Sequence, residues 1–419
     1  MQVNGERLIK HLKQIGSIGA HPDGGHCRFS WTPAYKQACV ELTELMESIG
    51  MKVHMDAVGN LYGRMEGSDP SLKPILTGSH LDTKPYGGLY DGNTGIQAGL
   101  EALFAMHDAG FKPRRSIDLV CFINEEASEF LGGCFGSRAI TGQIDSGYFK
   151  RCVDRHTGQT MYDAMKEFGM GCDPDHYETC ILKPDQYYCF IETHIEQGRH
   201  LLDDNKSISI LDGIAGIKEF YITIKGERAH AGGMAMSDRH DAMAAAVNIA
   251  AEVERLAING GVASRGTCAY ITSFPAEISI ISDTATVAVD FREIDGDIFE
   301  SLERDLIAYT EEQCKKRGLT YSVKMDLNAR PAICNKTLKE IMQGYADARN
   351  IPNEPMVSYP AHDAHHLSRL YPMAMIFLRS SNGGVSHCPE EYTLDEDEIN
   401  GAQVLLDTLE KLSMEDIAL

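Results

Sequence analysis

Residues 213–225, GIAGIKEFYITIK, decide how the rest of the chain is read. The run GIAG at 213–216 punctuates the chain, and the pattern of elements changes there. Beyond it the sequence predicts a strand over 217–225, a long Ala-rich helix over 239–257 and strands over 267–273 and 284–292. A helix over 298–316 and a strand over 320–327 complete the series. The order β-α-β-β-α-β is the split βαβ arrangement, a four-stranded sheet with two helices on one face. Residues 213–330 are therefore expected to form an inserted domain of ordinary size.

Working outward, residues 1–212 alternate strand-like and helix-like segments. Thr32-Pro33 reads as an N-cap and first helical position, followed by Val40, Leu42, Leu45, Met46 and Ile49 up to Gly50. Short strands over 51–56 and 60–65 flank Gly59-Asn60, PILTGS at 74–79 reads as a buried strand, and a helix covers 93–108. Further apolar strands fall at 117–123 and 188–193. This rhythm predicts a three-layer α/β domain with a largely parallel or mixed sheet. Beyond Arg330-Pro331, a helix (335–349), a strand (373–379) and a helix (395–413) predict that the first domain resumes, making it discontinuous: 1–212 with 331–419.

The 419 residues carry 39 Lys+Arg against 61 Asp+Glu, a net charge of −22, so duplex DNA and anionic membranes would repel the protein at long range. Neither nucleic acid nor membrane is an expected partner. No apolar run approaches the ~20 residues of a membrane span. The N-terminus is a charged amphipathic helix with Leu8, Leu12 and Ile15 at helical spacing, without a signal-peptide pattern. Twelve cysteines without a CxxC pair read as reduced thiols, and a cytoplasmic location is expected.

His, Asp and Glu concentrate where strands should end: GSHLDT at 78–83, GLYDGNTG at 88–95, NEEASEF at 124–130 and ETHIEQG at 192–198, with GVSHCPEE at 384–391. In open α/β sheets, ligands bind outside the carboxyl ends of strands. Taken singly, His80 or His194 reads as a loop histidine, Asp91 before Gly92 as turn chemistry, and Glu125-Glu126 as a solvated helix start. As a set, with His387, they match a two-metal hydrolase. Such a centre holds cations about 3.5–4 Å apart around a shared carboxylate and lowers the pKa of a water from ~15.7 towards ~7. A further carboxylate must move the water's proton to the leaving nitrogen. Adjacent Glu125 and Glu126 can divide these jobs, and Asp82, two residues from His80, is placed to orient that imidazole.

These motifs, with NGERL, DAVGNLYGR, GIAGIKEF, HAG and HDA, run along almost the whole chain. The sequence resembles the amidase/hydantoinase/carbamoylase branch of the M20 metallohydrolases, which holds N-carbamoyl-L-amino acid hydrolases, β-ureidopropionases and allantoate amidohydrolases. The resemblance implies that His80, Asp91 and His194 hold one divalent metal and Asp91, Glu126 and His387 a second, with Glu125 as general acid/base. Zinc, manganese, cobalt or nickel would suit this donor set. The resemblance makes the inserted, ferredoxin-like domain a lid and dimerisation domain of a homodimer. It also implies that His230 reaches a substrate oxygen, often across the dimer, that Arg292 forks onto a substrate carboxylate, and that Gln197 is a polar substrate contact.

Two departures bear on substrate. Ser279 stands where relatives commonly carry Asn, which makes it a shorter candidate contact in the carboxylate pocket. The HAG motif continues Gly233-Met234-Ala235-Met236, softer and more apolar than usual. The expected reaction is hydrolysis of the linear amide C–N bond of an N-carbamoyl amino acid to amino acid, ammonia and carbon dioxide. The alternatives are allantoate, or an N-acyl amino acid or dipeptide, at the same centre.

Overall fold

The computed structural model describes residues 1–419. Helix α1 (Gly5–Gly16) buries Leu8, Leu12 and Ile15 as its spacing predicts, and α2 (Pro33–Ser48) starts at Thr32, whose hydroxyl accepts the Tyr35 N–H. Then follow β1 (Lys52–Met55), β2 (Leu61–Met65), β3 (Ile75–His80), α3 (Asn93–Asp108), β4 (Ile117–Phe122), β5 (Phe190–Ile195) and the short β6 (Ile208–Ile210). Every residue of β3, β4 and β5 is buried. That is why these strands read as continuous apolar runs rather than alternating ones.

After β6 come β7 (Gly216–Lys225), α4 (Ala242–Gly260), β8 (Arg265–Phe274), β9 (Thr284–Glu293), α5 (Gly296–Arg317) and β10 (Thr320–Ala329). These strands form an antiparallel sheet in the order β8-β9-β7-β10. Strand β7 alternates, with Phe220, Ile222 and Ile224 buried and Glu219, Tyr221 and Thr223 half-buried. The buried set packs with Ala245, Ala246, Ile249 and Val253 of α4, with Val287, Val289 and Phe291 of β9, and with Leu302 and Leu306 of α5. Helix α4 begins at Ala242 because Asp241 caps it, accepting the Ala244 N–H. The three residues before that stay outside the helix.

The chain then returns through α6 (Lys336–Ala348), β11 (Met373–Leu378) and α7 (Asp395–Met414). Strand β11 inserts between β5 and β6, giving an eight-stranded mixed sheet in the order β1-β2-β4-β3-β5-β11-β6, closed by the two-residue strand Asn353–Glu354. Within it β4, β3, β5 and β11 are mutually parallel. The carboxyl ends of four adjacent strands therefore point the same way. Helix α3 packs on β3 and β5 and against α7. The fold is mixed α/β.

Contacts divide the chain into two compact units: residues 1–212, 333–356 and 361–419 form one, and 213–332 with 357–360 form the other. The return segment 357–360 belongs with the second unit because Val357–Ser358 pairs in parallel with Gly213–Ile214. All twelve cysteines are free, and no helix is long and apolar enough to cross a membrane.

Candidate metal centre

Four strand ends of the first unit bring the acidic and imidazole side chains together. His80 is the last residue of β3, His194 lies on β5, Glu125 and Glu126 follow β4, and His387 lies on the loop that runs from β11 to α7. Asp91 comes from the loop ahead of α3. Gly92 beside it has φ +67°, and a Cβ there would meet the His80 ring at 2.5 Å, so only glycine lets the loop lie against the imidazole.

His80, Asp91 and His194 form one trio within metal-ligand range, and Asp91, Glu126 and His387 form another. Asp91 is common to both. Its Oδ1 lies 3.4 Å from His80 Nε2 and 3.2 Å from His194 Nε2, while its Oδ2 lies 3.1 Å from His387 Nε2. Glu126 Oε2 is 3.6 Å from His387 Nε2, and Glu125 Oε2 is 4.0 Å from His80 Nε2.

The donor set fits cations on two observations. First, His80 Nδ1 faces the Asp82 backbone carbonyl at 3.1 Å, and His194 Nδ1 faces the Ile195 carbonyl at 3.0 Å. A carbonyl only accepts, so each Nδ1 carries a proton. In the neutral rings that leaves lone pairs on the two Nε2 atoms, which face each other at 3.3 Å. A cation between such lone pairs and Asp91 removes their repulsion. Second, Asp91 Oδ1 and Glu126 Oε1 are buried carboxylate oxygens without a hydrogen-bond partner. Buried oxygens in that state are costly unless something positive meets them.

Electrostatics agree with the geometry. Burial opposes ionisation of Asp91, and positive charge on the side of His194, His387 and His80, carried by protonated rings or by a cation in the place of those protons, holds its carboxyl well below the usual carboxylate range. Burial, together with Asp91 and Glu125, pushes Glu126 up. Lys84 Nζ stands 3.1 Å from Glu126 Oε2 and supplies one compensating charge.

Asp82 orients the His80 imidazole as its spacing predicts, but by a different atom, and its side chain has a further task. Its carboxylate lies 3.9 Å from His80 Nδ1 but accepts the N–H groups of Glu125 and Glu126, both at 3.1 Å. Its backbone carbonyl, not its side chain, orients the imidazole. Gln197, with φ +58°, donates from Nε2 to Asp91 Oδ2 at 2.9 Å and comes within 3.2 Å of His387 Nε2.

His230, Ser279 and Arg292 lie in the second unit. A two-residue strand at Ala229–His230 pairs with Ile280–Ile281, and the Ser279 carbonyl accepts the Ala231 N–H at 2.8 Å. His230 is exposed, and its Nδ1 accepts the N–H groups of Gly232 and Gly233, both at 3.1 Å. The ring proton is thereby placed on Nε2, which points away as a donor. Arg292, on β9, holds Asp290 at 3.0 Å and the Tyr359 carbonyl at 2.8 Å.

Several neighbours went unassigned in the sequence reading. The His362 ring packs edge-on against His194 at 4.5 Å, within the HDA motif. Glu192 lies with His194 and His362 in a further trio, but its oxygens already accept from Ser79 Oγ and the Ala364 N–H. Cys134 donates to Glu125 Oε1, and no motif announced it.

Residues 51–411 match the model of peptidase family M20/M25/M40. An N-carbamoyl-L-amino-acid amidohydrolase of Pseudomonas sp. (strain NS671) is 35% identical over 416 residues, covering 98% of each chain. A ureidoglycolate hydrolase of Oryza sativa subsp. japonica is 32% identical over 420 residues, covering 99% of this chain and 86% of its own. The crystal structure of an amidase of the hydantoinase/carbamoylase family from Burkholderia multivorans superposes with a TM-score of 0.86 at 28% identity, covering 99% of both chains. With its shared carboxylate between two sets of ligand-type side chains, the chain belongs to peptidase family M20/M25/M40, in the carbamoylase branch.

Proposed function

We propose that this chain, a hydrolase of C–N bonds in linear amides, acts on N-carbamoyl amino acids and releases the amino acid, ammonia and carbon dioxide. The observation that carries the dinuclear chemistry is Asp91, whose two oxygens face different imidazole sets. His80, Asp91 and His194 would hold one divalent cation and Asp91, Glu126 and His387 a second, from zinc, manganese, cobalt or nickel. Bound there, the cations supply an acidified water and a polarised scissile carbonyl.

The chain's own groups do the rest. Glu125, adjacent to ligand Glu126 but with its Oε2 4.0 Å from His80, takes the attacking water's proton and delivers it to the leaving nitrogen. Gln197 presents an amide beside Asp91. His230 Nε2–H donates to the substrate oxygen that gains charge, and Arg292 pairs with the substrate carboxylate in competition with Asp290. Ser279 lines the carboxylate pocket. The domain read as residues 213–330 acts as lid and dimerisation domain, and 1–212 with 331–419 as the catalytic domain of a cytoplasmic homodimer.

The name carried by the Pseudomonas relative supports the carbamoyl substrate. Met234, 36% exposed, and Met236, 78% exposed, follow His230 and favour an apolar substrate side chain. A ureido acid such as allantoate is the second reading, favoured by the ureidoglycolate hydrolase relative. The test measures ammonia and newly formed free amine together, with the metal-reconstituted protein acting on N-carbamoyl amino acids, β-ureidopropionate, allantoate and N-acyl amino acid controls, which can yield the amine but no ammonia. Turnover of the acyl controls alone would refute the carbamoyl assignment.

A further inference from the structure

Glu391 is 5% exposed and is absent from both ligand trios, yet it touches the segments that carry two of the ligands. Its Oε1 accepts the N–H groups of Tyr90 and Asp91, both at 3.0 Å. Its Oε2 accepts Ser386 Oγ at 2.6 Å and the His387 N–H at 3.3 Å. Every one of these partners belongs to the backbone or neighbour of Asp91 or His387.

Room for this clamp is built into the facing loop. A Cβ on Gly88 would lie 2.2 Å from Glu391 Oε1 and 2.4 Å from its Cδ, so the carboxylate occupies the space that a side chain at position 88 would need. His387 itself sits at φ +59°, a conformation that a non-glycine residue keeps only where its surroundings impose it. The N–H bond to Glu391 is one such restraint. The other two imidazoles are held differently, by the backbone carbonyls of Asp82 and Ile195.

We propose that Glu391 is a positioning residue that sets the spacing between Asp91 and His387, and so governs how tightly the Asp91/Glu126/His387 position holds its cation. This rests on the metal reading given above. Both oxygens of Glu391 are used as acceptors, two donors to each. An amide offers one accepting oxygen and turns its NH2 towards N–H groups at the other end. Replacement therefore opposes the clamp without changing its size.

The experiment counts divalent ions per chain and measures their affinities by equilibrium dialysis against manganese and zinc. Wild type is expected to bind two. Glu391→Gln is expected to retain one tight ion, at His80/Asp91/His194, and to bind the other about 10- to 100-fold more weakly. Gly88→Ala keeps every donor but displaces the carboxylate. It should reproduce the loss, and it decides the matter if Glu391→Gln fails to fold. General destabilisation would not weaken one position and spare the other. Two ions at wild-type affinity in a folded Glu391→Gln variant would overturn the proposal while leaving the metal reading standing. A wild-type protein that binds no divalent ion would remove the metal reading, and this proposal with it.

Discussion

Cys134 donates its thiol hydrogen to Glu125 Oε1 across 3.2 Å. Burial pushes the Cys134 thiol well up, so it stays protonated and remains a donor. The bond fixes the rotation of the carboxylate proposed to move protons. Glu125→Gln should keep the bound metal and lose about 10²- to 10⁴-fold in kcat. Cys134→Ala should lower kcat about 2- to 10-fold with little change in KM, and Cys134→Ser should restore it. Steady-state kinetics with parallel metal analysis checks all three.

Because Asp91 serves both trios and His387 only one, their losses should differ. Asp91→Ala is expected to empty both positions after desalting, while His387→Ala retains one ion per chain. Equal stoichiometry in the two variants would contradict a shared carboxylate.

Arg28 is wholly buried and donates to the carbonyls of Leu81, Ile15, Gly16 and Ile18. It joins the end of α1 to the residue between His80 and Asp82. Burial lowers its pKa to about 10, so it is still charged at neutral pH. Arg28→Ala strands these carbonyls and leaves a cavity, and should cost about 3–5 kcal/mol. Arg28→Lys cannot reproduce the fork and should recover only part. Urea unfolding provides the measurement.

Glu398, in the first turn of α7, accepts Thr94 Oγ1 at 2.8 Å, and burial pushes its carboxyl up to about 8. A folded-state pKa above the unfolded value gives stability that is complete below the unfolded pKa of 4.5 and lost as pH rises through about 8. Between those values the loss approaches about 1.4 kcal/mol per pH unit. Glu398→Gln, shaped like the protonated acid, should remove that slope. Its stability relative to wild type should rise from pH 5 to pH 8, as read from urea midpoints. A constant difference would show that Glu398 titrates normally.

Much of the framework was legible because the physics was local. Strands β3, β4 and β5 are buried on both faces and so read as apolar runs, and the polar motifs follow directly where those strands end. The order of elements over 213–330 likewise marked a sheet with two helices on one face, and the alternating burial of β7 agrees with it. What stayed hidden depends on contacts distant in sequence. Nothing around Met373–Leu378 says that it will lie between β5 and β6. Residues 357–360 look like part of the returning domain until Val357 pairs with Gly213. Asp82 orients His80 as its spacing suggested, but through its backbone carbonyl, and spacing could not show that its carboxylate accepts the N–H groups of Glu125 and Glu126, brought in by the β3–β4 pairing. Cys134 acts through one hydrogen bond and Glu391 through four to residues near Asp91 and His387, and neither kind of contact leaves a periodic signal.

The position of β11 also dictates an order of events while the chain is being made. β5 and β6 leave the ribosome with the slot between them empty, and more than a hundred residues of the second unit emerge before the strand that fills it. Throughout that interval two apolar strand edges stand open to pairing with other chains. A second unit with its own closed core limits the exposure, since it can fold alone while the first unit waits. Substitutions that slow the folding of residues 213–332 should therefore lower the yield of soluble protein, even where the finished enzyme is no less stable.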